Sequence, residues 1–298
     1  MFNLQKFIPR NSNYDFMKIR NIMLIISIIF IFLSLSLLFF KGLNLGIDFK
    51  GGTLIEVKTK NTDIGDLRKI LSSSFNDVSL QEFGDKDTII IRLQNDSNAE
   101  SIETINKVKE LIGFNVEEFR RSEFVGPTVS SELLWKGLQA VFFALIAILV
   151  YIWFRFEWQF GFGAVVALTH DVLFTLGILS IFNVEFSLSS IAAILTIAGY
   201  SINDSVVIFD RIRENLRRYK KLELTDLFNI SINNTLSRTL MTSITTLIAL
   251  FILLIFGGEV IKPFAFTMII GVFVGTYSSI YIAVPTLLLF KFRPQEDE

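Results

Sequence analysis

Hydrophobic residues in this chain gather into six long runs, separated by stretches in which polar positions return. The runs are approximately Ile22–Phe40, Leu133–Phe154, Phe160–Phe182, Ser187–Phe209, Thr239–Gly257 and Phe264–Phe290. Each is near the roughly 20 residues a helix needs to cross the hydrocarbon core of a bilayer. The first is too long for a signal peptide and lacks the small-residue cleavage site, so it reads as a retained span. Between the first two runs the pattern shortens. Thr53–Lys60 alternates as a strand, Asp63–Ser74 has helical spacing, and Val78–Phe83 and Thr88–Gln94 are strand-like. Ala99–Ile112 is again helical and Phe114–Phe124 strand-like. Asp63 and Asn98 stand where helix caps belong, and Gly84-Asp85-Lys86-Asp87 where a hairpin turns. The order βαββαβ predicts a ferredoxin-like α+β domain, a helix layer on an antiparallel sheet.

The expected organisation is an α-helical integral membrane protein with six transmembrane helices, one plus five, around an external domain. Residues 1–21 precede the first span (22–40), 41–132 form the external domain, 133–290 form a five-span bundle, and 291–298 are a tail. Charge orients this arrangement. Lys6, Arg10, Lys18, Arg20, Arg155, Arg211, Arg213, Arg217, Arg218, Lys220, Lys221, Lys291 and Arg293 all fall on the side of the termini, against Lys262 alone in the short links opposite. The positive-inside rule then puts both termini in the cytoplasm and the external domain on the far side. The composition agrees: 51% of the 298 residues are hydrophobic and 19% charged. The chain has no cysteine, which excludes disulfides, iron–sulfur clusters and thiolate metal sites, and its single histidine excludes a His-rich one. No metal is expected. The external domain is acidic overall, which argues against nucleic acid or acidic lipid as its ligand.

Chemistry concentrates in the apolar runs. Asp204 lies within the fourth, with Asn203 beside it. A carboxylate at membrane depth costs roughly 3 kcal/mol on insertion scales, so it marks a functional site by default. Arg238, at the opening of the fifth run, offers the opposite charge or else snorkels to the interface from a helix start. The third run carries His170-Asp171, which can pair with each other or with Arg238. Ala192, Thr196, Gly199 and Asn203 form a stripe of small and polar residues of the kind that lets spans pack closely. Ser201 and Asp204 are neighbours on an adjacent stripe. Thr242, Ser243, Thr245 and Thr246 suit interhelical hydrogen bonding, and Arg211–Lys221 suits a solvated helix. A proton carrier needs an acid whose proton affinity changes with its surroundings, and Asp204 alternately near to and far from Arg238 meets that need. Outside the spans, Gly51 and Gly52 end the segment Gly46–Thr53, where paired glycines permit positive φ. No Lys-Ser/Thr pair follows and a strand comes next, so this is a structural turn and not a phosphate loop. Gly126-Pro127 reads as a rigid turn before the second run.

These motifs together resemble the SecD/SecF family of bacterial protein-export membrane proteins. The resemblance rests on GIDFKGGT at Gly46–Thr53, VGPTVSSEL at Val125–Leu133, the His170-Asp171 pair, GYSINDSVVIFDRIREN at Gly199–Asn215, and Ser237–Thr239. It covers nearly the whole chain, and the fourth-run motif is its most specific part. It implies a partner, SecD, in a pseudo-symmetric assembly of the resistance-nodulation-division superfamily. It further implies association with the SecYEG channel and accessory export factors, an unfolded secreted polypeptide as cargo, and the bacterial inner membrane as location. The proton gradient, with no bound cofactor, would be the energy source, and no enzymatic activity would be expected. Asp204 and Arg238 match the family's proton-pathway pair, with Asp171, His170 and Asn203 as companions. Half of a proton-driven small-molecule or lipid exporter of the same superfamily is the alternative, disfavoured by the single half and the small external domain. An intramembrane aspartyl protease would need two carboxylates sharing a proton, for which Asp171 and Asp204 are candidates. Its Gly-x-Gly-Asp context is absent, and no second histidine completes a metal pair with His170.

Overall fold

The computed structural model describes residues 13–60, 63–75, 78–83, 85–93, 98–258 and 261–290. Lys6, Arg10, Lys291 and Arg293, which contribute to the expected orientation, lie outside the described residues. A short 3-10 turn, Met17–Ile19, leads into α1 (Arg20–Phe40). Then come β1 (Asn44–Leu45), one-turn α2 (Ile47–Lys50), β2 (Gly52–Thr59), α3 (Ile64–Ser72), β3 (Val78–Phe83) and β4 (Asp85–Leu93). The chain continues through α4 (Asn98–Ile112), β5 (Val116–Val125), α5 (Pro127–Arg155), α6 (Trp158–Ile181) and β6 (Glu185–Phe186). It ends with α7 (Leu188–Arg218), α8 (Leu224–Phe256), α9 (Lys262–Ser278), a π-type turn at Ser279–Ala283 and α10 (Val284–Leu287). Six helical stretches among the described residues are long and apolar enough to span a membrane: Met17–Phe40, Val129–Arg155, Trp158–Ile181, Leu188–Arg218, Leu224–Phe256 and Lys262–Leu287. The chain divides into two units, 44–140 with 185–188, and the remainder.

In the first unit, β3, β4, β2 and β5 form a four-stranded antiparallel sheet in that order. With helices α3 and α4 this is the expected ferredoxin-like arrangement. Alternation decides which residues enter the core: Ile55 and Val57 of β2 and Ile89 and Ile91 of β4 face Leu67, Leu71, Val108 and Ile112 of the two helices. Burying each such side chain contributes about 1.5–3 kcal/mol. The opposite face buries Leu54 and Ile90 against Ile47, so β2 is covered on both sides. Asp63 is the N-cap residue of α3, its carbonyl accepting from Asp66 and Leu67. Asn98 instead begins α4 as its first residue. Of the expected turn Gly84–Asp87, Gly84 lies outside the described residues, and Asp85, Lys86 and Asp87 belong to β4, where Asp85 pairs with Phe83.

The second unit is helical. Hydrocarbon is as apolar as a leucine side chain, so spans associate through close packing and hydrogen bonds and not through apolar burial alone. Gly177 of α6 shows the packing: a Cβ there would lie 2.5 Å from Ser34 Cβ of α1. Phe156, Phe160 and Phe209 form an aromatic cluster with centroids 5.1–6.0 Å apart. Two helices extend well past the apolar runs. α7 continues to Arg218, and α8 begins at Leu224. Arg238 therefore sits mid-helix, which corrects the expectation of a helix start. The reason is that Leu224–Ser237 is amphipathic, with Leu227, Phe228, Ser231, Ile232, Thr235 and Leu236 buried at helical spacing. Asn215 of α7 donates to Ser231 Oγ at 2.9 Å and ties the two extensions together.

Candidate functional site

Asp171, midway along α6, is fully buried. Its Oδ2 accepts from Ser201 Oγ of α7 at 2.5 Å and from Ser278 Oγ of α9 at 2.8 Å. Its Oδ1 meets His170 Nδ1 at 3.1 Å. One carboxyl group thus joins three spans, and His170 pairs with Asp171 rather than with Arg238. The His170 ring is flanked by Phe174 and Tyr277, with centroids 5.9 and 6.1 Å away. Tyr277 in turn donates to the Met23 carbonyl and lies 2.8 Å from Ser27 Oγ, linking α9 to α1. His170 also lines an apolar cavity of about 600 Å³ walled by Ser27, Ile28 and Leu35 of α1 and Val166 and Leu173 of α6. Directly after Ser278 the helix passes into the π-type turn, an irregularity that recurs at functional sites.

Asp204 lies one helical turn from Ser201 on α7 and is 2% exposed. Its Oδ2 has no hydrogen-bond partner among the described residues, and neither has buried Thr239 Oγ1 on α8. Arg238, next to Thr239, is exposed. Among the described residues, no ion pair within 4 Å joins it to Asp204. Asn203 points elsewhere. It is exposed, as are Ala192, Thr196 and Gly199, and a Cβ on Gly199 would meet nothing within 4 Å. Among the described residues, the small-residue stripe therefore faces outward and does not pack against another helix. Among the expected hydroxyls, Thr242 and Thr245 bond to carbonyls of their own helix, whereas Ser243 reaches Thr276 Oγ1 of α9 at 2.7 Å.

The paired glycines behave as turns require: Gly51 has φ +75° and Gly52 φ +104°, a region closed to most side chains. The segment they end holds residues 185–188 in the sheet-containing unit. β1 and β6 pair in parallel, and Gly46 N–H donates to the Phe186 carbonyl at 2.9 Å. Asp48 Oδ2 accepts from Leu188 N–H at 2.9 Å, satisfying an otherwise orphaned donor at the start of α7. Arg92 of β4 reaches Glu185 Oε2 at 2.6 Å.

Sequence reading did not single out Ser278, Tyr277 or Ser27. The available signal was the polar cluster Thr276–Ser279 inside the last apolar run, but hydroxyls carry too little cost in lipid to stand out as a charge does.

Known proteins resemble this chain in sequence and in fold. Residues 104–293 match the family described as protein export membrane protein SecD/SecF, C-terminal, and residues 36–63 match the SecD/SecF GG motif. The protein translocase subunit SecF of Rickettsia rickettsii (strain Sheila Smith) is 44% identical over 97% of this chain and 95% of its own length. That of Rickettsia bellii (strain OSU 85-389) is 43% identical over 98% of both. A crystal structure of SecDF from Thermus thermophilus, a translocon-associated membrane protein, superposes with a TM-score of 0.86 at 36% identity. The match covers 94% of this chain and 39% of the SecDF chain. A second structure, of SecDF in a super-membrane-facing form, gives a TM-score of 0.71 over the same shares.

Proposed function

From the premise that the chain belongs to the SecD/SecF family of protein-export membrane proteins, we propose that it is the SecF-type subunit of a bacterial export machine. In this role it joins a SecD partner beside the SecYEG channel and uses the proton-motive force to draw unfolded secreted polypeptide outward. It acts as a transport component and not as an enzyme. Both termini lie in the cytoplasm and the ferredoxin-like unit in the periplasm. The basic residues clustered on the side of the termini support that orientation.

The observation that carries the reading is buried Asp204, whose Oδ2 has no hydrogen-bond partner and which forms no ion pair with Arg238 among the described residues. An oxygen left bare in a low-dielectric interior is costly unless it changes partner or charge during a cycle. Asp171 is held by Ser201 and Ser278 and so supplies a fixed polar reference beside Asp204. The outward stripe of Ala192, Thr196, Gly199 and Asn203 gives SecD a surface on which a helix can approach closely. The poorer superposition on the second SecDF form is consistent with a region that takes more than one arrangement in the cycle.

The test is complementation. Cells depleted of their own copy receive this chain together with its cognate SecD, and the export rate of a secreted precursor is followed. Restored export and co-purification of SecD are expected. If SecD co-purifies but export stays at the depleted level, or if SecD does not co-purify at all, the assignment fails.

A further inference from the structure

At the end of α5, Arg155 faces the extension of α7 across an open cleft of about 580 Å³ lined by Asp210, Arg213, Glu214, Arg217 and Arg218. Two carboxylates in this cleft are already engaged. Asp210 accepts from Arg155 Nη2 at 2.8 and 3.0 Å, and Glu214 pairs with Arg211 at 2.8 Å. Arg213, Arg217 and Arg218 have no carboxylate within 4 Å among the described residues. Arg213 is held in place all the same: it donates to the Arg155 carbonyl at 3.3 Å, and both guanidinium groups lie over the Phe156 ring, at 5.7 and 4.9 Å. Arg218 lies over Tyr219 at 5.4 Å. The cleft therefore presents an excess of oriented guanidinium donors, the geometry that recognises phosphate oxygens.

Its depth indicates which phosphate. The cleft sits where two apolar runs end, and Trp153 and Trp158, on either side of Arg155 in the sequence, are both more than half exposed and suited to act as interfacial anchors. The apolar run of α7 ends at Phe209, so Arg213 and Arg217 lie about 6 and about 12 Å further along the axis at 1.5 Å per residue. The headgroup layer on each side is roughly 5–8 Å thick. Arg155 and Arg213 are thus level with lipid phosphates, whereas the Arg217 backbone lies about 4 Å beyond the layer and reaches it through a side chain that leans back toward the helix N-terminus.

We propose that this cleft is a binding site for the phosphodiester headgroup of an anionic phospholipid, held by Arg213 and Arg217 with Arg218 at the rim. The proposal rests on the membrane placement of α5 and α7 and not on the export reading. Basic pockets between spans on the cytoplasmic side bind such headgroups.

The test measures binding of fluorescent phosphatidylglycerol to the purified full chain in detergent, with phosphatidylcholine and inorganic phosphate as competitors. Unlabelled phosphatidylglycerol should displace the probe; the other two should not. Arg213→Gln/Arg217→Gln should weaken binding about tenfold or more, and Arg213→Lys/Arg217→Lys should recover only part of that loss, because an ammonium keeps the charge but not the forked contact. Lys220→Gln/Lys221→Gln removes the same charge outside the cleft and should change little. Unchanged binding in the Arg213→Gln/Arg217→Gln form, with matched circular dichroism, overturns the site. Equal loss in the lysine-pair control reduces it to net charge, and displacement by inorganic phosphate makes it a free-anion site; either result also overturns the proposal.

Discussion

Arg92 and Glu185 are 93 residues apart and form an ion pair at 2.6 Å, with side chains only 12% and 15% exposed. Glu185 belongs to the link between α6 and α7, yet it is held within the sheet-containing unit. Removing one partner of a mostly buried ion pair is destabilising, by up to about 3–5 kcal/mol. Glu185→Ala and Arg92→Ala should therefore each lower the unfolding midpoint of the purified chain substantially. Arg92→Ala/Glu185→Ala should cost less than the two single changes summed, because it removes both charges together. A double-mutant cycle by thermal denaturation checks this, and strict additivity would show that the pair is not coupled.

Two glycines predict opposite outcomes. Gly177 lies where a Cβ would collide with Ser34, so Gly177→Ala should force α1 from α6 and cost about 1–3 kcal/mol. Gly199 faces open space, so Gly199→Leu should leave the stability of the isolated chain nearly unchanged. If the outward stripe receives SecD, that same change should reduce co-purification of SecD several-fold. Detergent-stability assays and pull-downs separate the two effects.

The three-span junction at Asp171 sets a graded series. Ser278→Ala removes one donor, a change worth about 0.6 kcal/mol in membrane proteins. Asp171→Ala strips the acceptor from Ser201 and Ser278 at once and leaves a void, so about 2–4 kcal/mol is expected. Asp171→Asn keeps one acceptor oxygen and should fall between them. Thermal aggregation of the solubilised proteins gives the ranking, and equal stability of all three would mean the junction is not a structural tie.

The six spans and the βαββαβ order were legible because their signals are local. An apolar run or an alternating strand states its environment within about ten to twenty residues. The ends of α7 and α8 were not legible from hydropathy, since a helix continues into water as long as its backbone hydrogen bonds are met, and so Arg238 moved from helix start to mid-helix. Pairing of Asn44-Leu45 with Glu185-Phe186 was also hidden, because two-residue strands so far apart in the chain have no periodicity to read. In the site, Asp204 and Asp171 announced themselves through the cost of their charge. Ser278 did not, and Asn203 was grouped with Asp204 by adjacency alone, although successive residues on a helix point about 100° apart and Asn203 faces out.

We propose that Asp204 couples the proton gradient to export. The most direct test is the export rate of a secreted precursor in cells supplied with this chain or its Asp204→Asn form at matched membrane levels, with and without collapse of the gradient. The account predicts rapid, gradient-dependent export with the unaltered chain. With the Asp204→Asn form, export should be no faster than in depleted cells and indifferent to the gradient. Equal, gradient-dependent rates for the two proteins would contradict it.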